Sequence, residues 1–153
     1  MTVEVRTFDT LVTVTLPVDI AIHADGDLLA NPVEVPNAVK ANGTTIVASV
    51  VVLNNDNQAV DMSVLFFDSD PGILGVKNAA ILLNDAQMAK CQGSITVNSW
   101  DDLGTQQVGT ETSTALVLKP INGRTSAWVA LKSQGTGTYA SGSLTLKLGL
   151  MRG

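Results

Sequence analysis

The sequence predicts an all-β domain, a sandwich or a barrel, with one short helix. Three observations carry that reading. Apolar side chains recur at every second residue in most of the patterned stretches. About seven to nine such runs are separated by Gly, Pro, Asn and Asp turn signals roughly every eight to twelve residues. Only one stretch departs from period two toward helix-forming residues. The chain has 153 residues, the size of one ordinary domain, and 45% of them are hydrophobic. No internal repeat or linker interrupts it, so residues 1–153 read as a single domain.

The elements follow in chain order. Over residues 12–22 the even positions are Val12, Val14, Leu16, Val18, Ile20 and Ile22, with Thr13, Thr15, Pro17, Asp19 and Ala21 between them. A strand turns alternate side chains to opposite faces, so the even set should meet a core. Pro17 cannot donate to a ladder and marks an edge or a break. Val3 and Val5 fit a further short strand or a free arm. Asp25-Gly26-Asp27 is a turn signal. Asn31-Pro32 and Val35-Pro36-Asn37 mark an irregular crossing segment.

Asn42-Gly43 opens a strong strand over residues 44–53, with Ile46, Ala48, Val50 and Val52 in phase. Its other face carries Val47, Val51 and Leu53, which predicts a central strand covered on both sides. The polar run from Asn54 to Asn57 then leads into a strand over residues 60–67, and the two strands read as a hairpin. Residues 84–90 carry good helix formers behind Asn84 or Asp85 as a cap, giving a short helix of about two turns. Strand patterns resume over residues 94–100, 114–118, 125–132 and 143–150. In the last, Leu144, Leu146, Leu148 and Leu150 alternate with Ser143, Thr145, Lys147 and Gly149.

Composition excludes several functional classes. Nine Lys and Arg against fourteen Asp and Glu give a net charge of -5, and the pI is near 4.6. A nucleic-acid binder needs a basic face to displace counterions, so none is expected. A single cysteine excludes an intrachain disulfide framework, and with one histidine no Cys- or His-cluster metal site forms. No basic start followed by an apolar stretch marks a secretory signal, and no run approaches a membrane helix. The chain is expected to be made in a cytoplasm, with no membrane partner. Only 15% of residues are charged, against roughly 25% in an average domain. Either a Val- and Thr-rich β exterior explains this, or neighbouring subunits cover part of the surface.

Chemistry-bearing motifs are sparse. Asp68-Ser69-Asp70-Pro71-Gly72 resembles a calcium loop at first sight. Counted from Asp68, however, the required Gly is Ile73 and the required Glu is Ala79, so a turn is expected instead. Trp100 followed by Asp101 and Asp102 could form a sugar platform, but adjacent strand residues point apart and a turn is favoured. No Gly-x-Ser-x-Gly elbow or phosphate-binding glycine loop occurs. His23 reads as a surface or turn residue and Cys91 as a structural thiol after the helix. Trp100, Trp128 and Tyr139 could be sugar platforms or interface anchors, but with aromatics only 4% of the chain they read as core, Trp128 by its strand pattern. Neither a catalytic residue nor a cofactor or metal site is expected.

From residue 60 onward, about the last three-fifths of the chain, the sequence resembles the head decoration, or cement, proteins of tailed bacteriophages. The resemblance rests on Leu65-Phe66-Phe67-Asp68 with Pro71, then Asn78-Ala79-Ala80, Leu83-Asn84-Asp85-Ala86 and Gly93 opening a strand. Near the end it rests on Tyr139-Ala140-Ser141-Gly142 leading into Leu144, with Leu148-Gly149-Leu150 closing the chain. Residues 72–77 depart from the family pattern, Leu148 and Leu150 stand where aromatics are more usual, and the N-terminal strand is atypical. The resemblance implies a non-enzymatic virion structural protein on the capsid outer surface. It would be a homotrimer bridging neighbouring capsomers through contacts with the major capsid protein. With it, the expected fold becomes a jelly-roll-like β-sandwich with one short helix, residues 1–15 forming an N-terminal arm or an edge strand. The rival reading is a carbohydrate-binding β-sandwich module using Trp100, Asp101 and Asp102.

Overall fold

A computed structural model describes residues 10–153. Two antiparallel sheets pack face to face. The six-stranded sheet has the order β1 (Thr10–Pro17), β12 (Ser143–Arg152), β4 (Thr45–Asn54), β8 (Gln107–Glu111), β7 (Trp100–Asp102), with β9 (Leu116–Leu118) also paired to β4. The four-stranded sheet has the order β3 (Leu28–Val35), β10 (Ala127–Ser133), β5 (Met62–Phe67), β6 (Cys91–Val97). A small ladder joins β2 (Ile22–His23) to β11 (Gly137–Thr138). The expected β-sandwich with one short helix is therefore present, at the level of two packed sheets; the jelly-roll winding is not established.

The even-numbered leucines of β12 supply one wall of the core. Leu144, Leu146, Leu148 and Leu150 are buried, opposite Val14 and Leu16 of β1 and Val47, Val50 and Val52 of β4. Met62, Val64 and Phe66 of β5, with Val129 and Leu131 of β10, close the core from the other sheet. The period-two phase of β1 runs from Val12 to Val18 and then fails: Ile20 and Ile22 are exposed, and His23 is buried instead. The strand ends at Pro17, where the chain leaves the sheet edge.

Strand β4 corrects two expectations. Gly149 pairs with Ser49 while Leu150 pairs with Val47, so Ala48 is an extra residue in the ladder. That bulge shifts the phase by one, putting Val47 in the core and Ile46 on the outer face. The strand is consequently buried on one side only. The strands β4 and β5 are also not a hairpin, because they lie in different sheets. The Asn54 side chain makes the corner between them: its Oδ1 accepts from Asp56 N at 3.0 Å and its Nδ2 donates to Gln58 O at 2.9 Å. Asp56 in turn accepts from Ser141 Oγ at 2.8 Å.

The segment read as an irregular crossing holds strand β3. Its prolines hid it, yet both devices that tolerate proline are present: β3 is an edge strand, and Val33 pairs with Val129 while Ala30 pairs with Leu131, leaving a bulge at Asn31-Pro32. At the bulge the Asn31 side chain reaches out: its Oδ1 accepts from Leu74 N at 2.9 Å and its Nδ2 donates to Gly75 O at 3.2 Å. Residues 68–90 thereby lie over the outer face of the four-stranded sheet. Beneath them sits a second apolar cluster of Leu28, Phe67, Leu74 and Ala130, with Leu65, Ile81, Leu83, Cys91 and Trp128 around it. Trp128 belongs here, outside the main core.

The helix α1 is one turn, Asp85–Met88, shorter than expected. Asn84 and Gln87 form a reciprocal capping box: Asn84 Oδ1 accepts from Gln87 N at 2.8 Å, and Gln87 Oε1 from Asn84 N at 3.1 Å. Gln87 Nε2 also donates to the Pro71 and Ile73 carbonyls, tying the helix to the rest of the cover.

Two outcomes follow from this packing. Phe66→Ala should cost about 3–5 kcal/mol, as large-to-small changes of a fully buried aromatic do, measured by denaturant unfolding. Tyr139 is the single tyrosine of the chain; burial, and secondarily the Asp56 carboxylate, push its hydroxyl up to about 12. The folded state keeps that proton while the unfolded chain loses it near 10. Stability held below pH 10 should therefore fall by about 1.4 kcal/mol per pH unit up to the folded value. Absorbance titration of the phenolate checks this, with an apparent value near 10 counting against it.

Candidate functional site

The outer face of the six-stranded sheet is defined by the residues that alternate with the core. Register places Leu11 beside Gly149 and Ser49, and Met151, Ile46 and Val117 in one row across β12, β4 and β9. Further along lie Val51, Leu53 and Val108 among threonines. The charged side chains on this face of the ladder are Lys147 and Asp101. Leu11 and Val117 expose 64% and 53% of their surface.

The cover on the far side of the sandwich has its own apolar surface. Ile73, Val76, Leu82 and Met88 are all strongly exposed, around a shallow hollow that includes Leu83 and Gln87. They are exposed because Leu74, Ile81 and Leu83 take the inward positions of the same segment. The molecule thus presents apolar side chains on two opposite sides. Single exposed apolar residues are ordinary, but grouped ones mark contact surfaces.

The Trp100 sugar platform is overturned. The Trp100 ring packs against the main core over Gly109, and its indole N–H is buried without a partner. Asp102 Oδ1 accepts from Gly104 N at 2.8 Å, shaping the turn that joins β7 to β8. Asp101 points to the opposite face, beside Val108. In the same way Asp70 Oδ1 accepts from Gly72 N at 2.8 Å, and Gly72 takes the positive φ of 75° which that turn requires.

His23 is a correction too, since it is fully buried. Its Nε2 lies 3.2 Å from the Asp19 carbonyl and its ring centroid 5.8 Å from that of Tyr139. Cys91 is half-buried, at the first position of β6, and packs on the second cluster. Of the N-terminal segment, Thr10–Pro17 is the edge strand β1; Val3 and Val5 lie outside the described residues. The two apolar faces are what sequence reasoning missed. The unassigned strand β3 hid how the cover docks, and the bulge at Ala48 hid which face receives Ile46.

A Cβ at Gly109 would lie 2.7 Å from Val97 Cγ1 and 2.9 Å from Trp100 Cζ3. Gly109→Ala should accordingly displace the indole, destabilise by about 1–3 kcal/mol and shift tryptophan emission; an unchanged melting temperature and spectrum would contradict the packing role.

No family model matches the chain, and no curated protein does. A solved structure of infectious bursal disease virus, Gt strain, resembles it with a TM-score of 0.32 at 12% identity. That superposition covers 94% of this chain and 32% of the viral chain, so the chain spans about a third of the other's length. This is a slight likeness to a viral structure.

Proposed function

We propose that this chain is a non-enzymatic virion structural protein that decorates and stabilises the exterior of a phage capsid as an oligomer. The observation that carries the reading is the pair of apolar faces on opposite sides of a sandwich whose sequence is only 15% charged. One face can meet copies of the same chain while the other meets the shell, which is what a protein bridging capsomers needs. The sequence resemblance to phage decoration proteins supports the same reading and gives its finer terms, a homotrimer contacting the major capsid protein. The sandwich supplies the stiffness such a part requires, since its core strands are locked on both edges by ladders. No acid, base or nucleophile is assigned a role.

The test is oligomeric mass by light scattering, followed by co-sedimentation with heads lacking this chain. The expected result is a species of about three times the 15.9 kDa chain mass that pellets with heads. The exposed variants Ile46→Lys and Val117→Lys, at sites where a charge costs the fold little, should lower trimer content or head occupancy at least tenfold. A monomer that ignores heads would overturn the proposal.

A further inference from the structure

The cover over the second apolar cluster ends at Trp128, and there it leaves a cleft of about 290 Å³. Register puts Trp128 between Glu34 of β3 and Phe67 of β5 on the outer face of the four-stranded sheet. Asp68 and Ser69 rise on one side as the chain leaves β5, and Arg124 and Ser126 on the other as it enters β10. These side chains come from three segments of the chain and converge on one indole.

The polar groups are held in position. Ser126 Oγ donates to Glu34 Oε1 at 2.7 Å, and Ser69 Oγ donates to Asp68 Oδ1 at 2.8 Å. Each carboxylate therefore spends one oxygen on a local hydroxyl and keeps the other without a bond among the described residues. The backbone of Arg124 is fixed by its N–H to the Ile121 carbonyl at 3.1 Å. Its guanidinium takes part in no ion pair or hydrogen bond among the described residues. Free acceptors and a free donor thus surround the exposed part of an aromatic ring.

The geometry points to a binding site for a neutral sugar ring, distinct from the apolar faces and independent of any contact with a capsid. A hexose has an apolar C–H face that stacks on an indole, and vicinal hydroxyls that donate and accept side by side. Carboxylate oxygens take the donated protons and the guanidinium supplies a donor in return. The cleft holds one ring rather than a larger ligand. Two carboxylates against one arginine leave a net negative wall, so a uronate-ended glycan is disfavoured relative to a neutral one.

The experiment is binding of the intact protein to an array of oligosaccharides ending in neutral hexoses, N-acetylhexosamines or uronates. Neutral-ended glycans should bind, at least tenfold above uronates. Trp128→Ala should lose binding at least tenfold, with Trp128→Phe retaining part of it. Trp128 also packs on the second cluster, so the exposed Glu34→Gln and Arg124→Ala give a readout that does not depend on that packing; each should weaken binding several-fold with the circular dichroism unchanged. Absence of any neutral glycan ligand, a preference for uronates, or binding undiminished in both surface variants overturns the assignment.

Discussion

Strand β12 is hydrogen-bonded along both edges, to β1 on one side and β4 on the other, and every second residue from Leu144 to Leu148 is a buried leucine. A strand so placed has no freedom of register, because a slip of one residue would turn the leucines out and the Thr145 and Lys147 side chains in. The positions of β1 and β4 follow from it, and through β4 those of β8 and β9. The one irregularity, the bulge at Ala48, occurs where β12 changes from Gly149 to Leu150. Extra backbone there lets Leu150 and Val47 stay in the core after Gly149 meets Ser49.

Period-two alternation made β1, the core half of β4, β10 and β12 legible, because each has one face on the core and no backbone irregularity within the legible part. Strand β3 was illegible for the opposite reason. Its Pro32 is tolerated by an edge position and a bulge, both properties of partners that are distant in sequence. The supposed β4–β5 hairpin failed on similar grounds: a short polar connector is compatible with a tight turn or with a corner between sheets, and the choice depends on where β12 and β10 pair. The capping residues of α1 were readable as local chemistry, whereas its single-turn length reflects the need to return at once to β6.

For the surfaces, low charge was compatible with a Val- and Thr-rich exterior or with one that meets neighbouring subunits, and it named no position: Ile20, Ile46 and Trp128 all sat in patterns that favoured burial. Trp100 packs against the main core, and Trp128 packs on the second cluster beside the cleft. The carboxylates next to Trp100 shape a turn or face away, while those near Trp128 arrive from residues 34 and 68 and could not be seen as neighbours before the sheet was formed.

The two apolar clusters are separated by the four-stranded sheet, and the outer one is closed by a segment with few ladder bonds. Residues 68–90 are held to the sheet by the Asn31 side chain and by a few backbone bonds to Gly26 and Leu28, while Gln87 and Lys90 reach backbone carbonyls within the segment and tie it to itself. The main core does not need those bonds. A segment attached in this way is expected to open as a subglobal unit while the sandwich persists. Amide protons of the cover and those of β12 would then exchange with solvent on separate free-energy scales, and a docked neighbour on the cover would slow only the first.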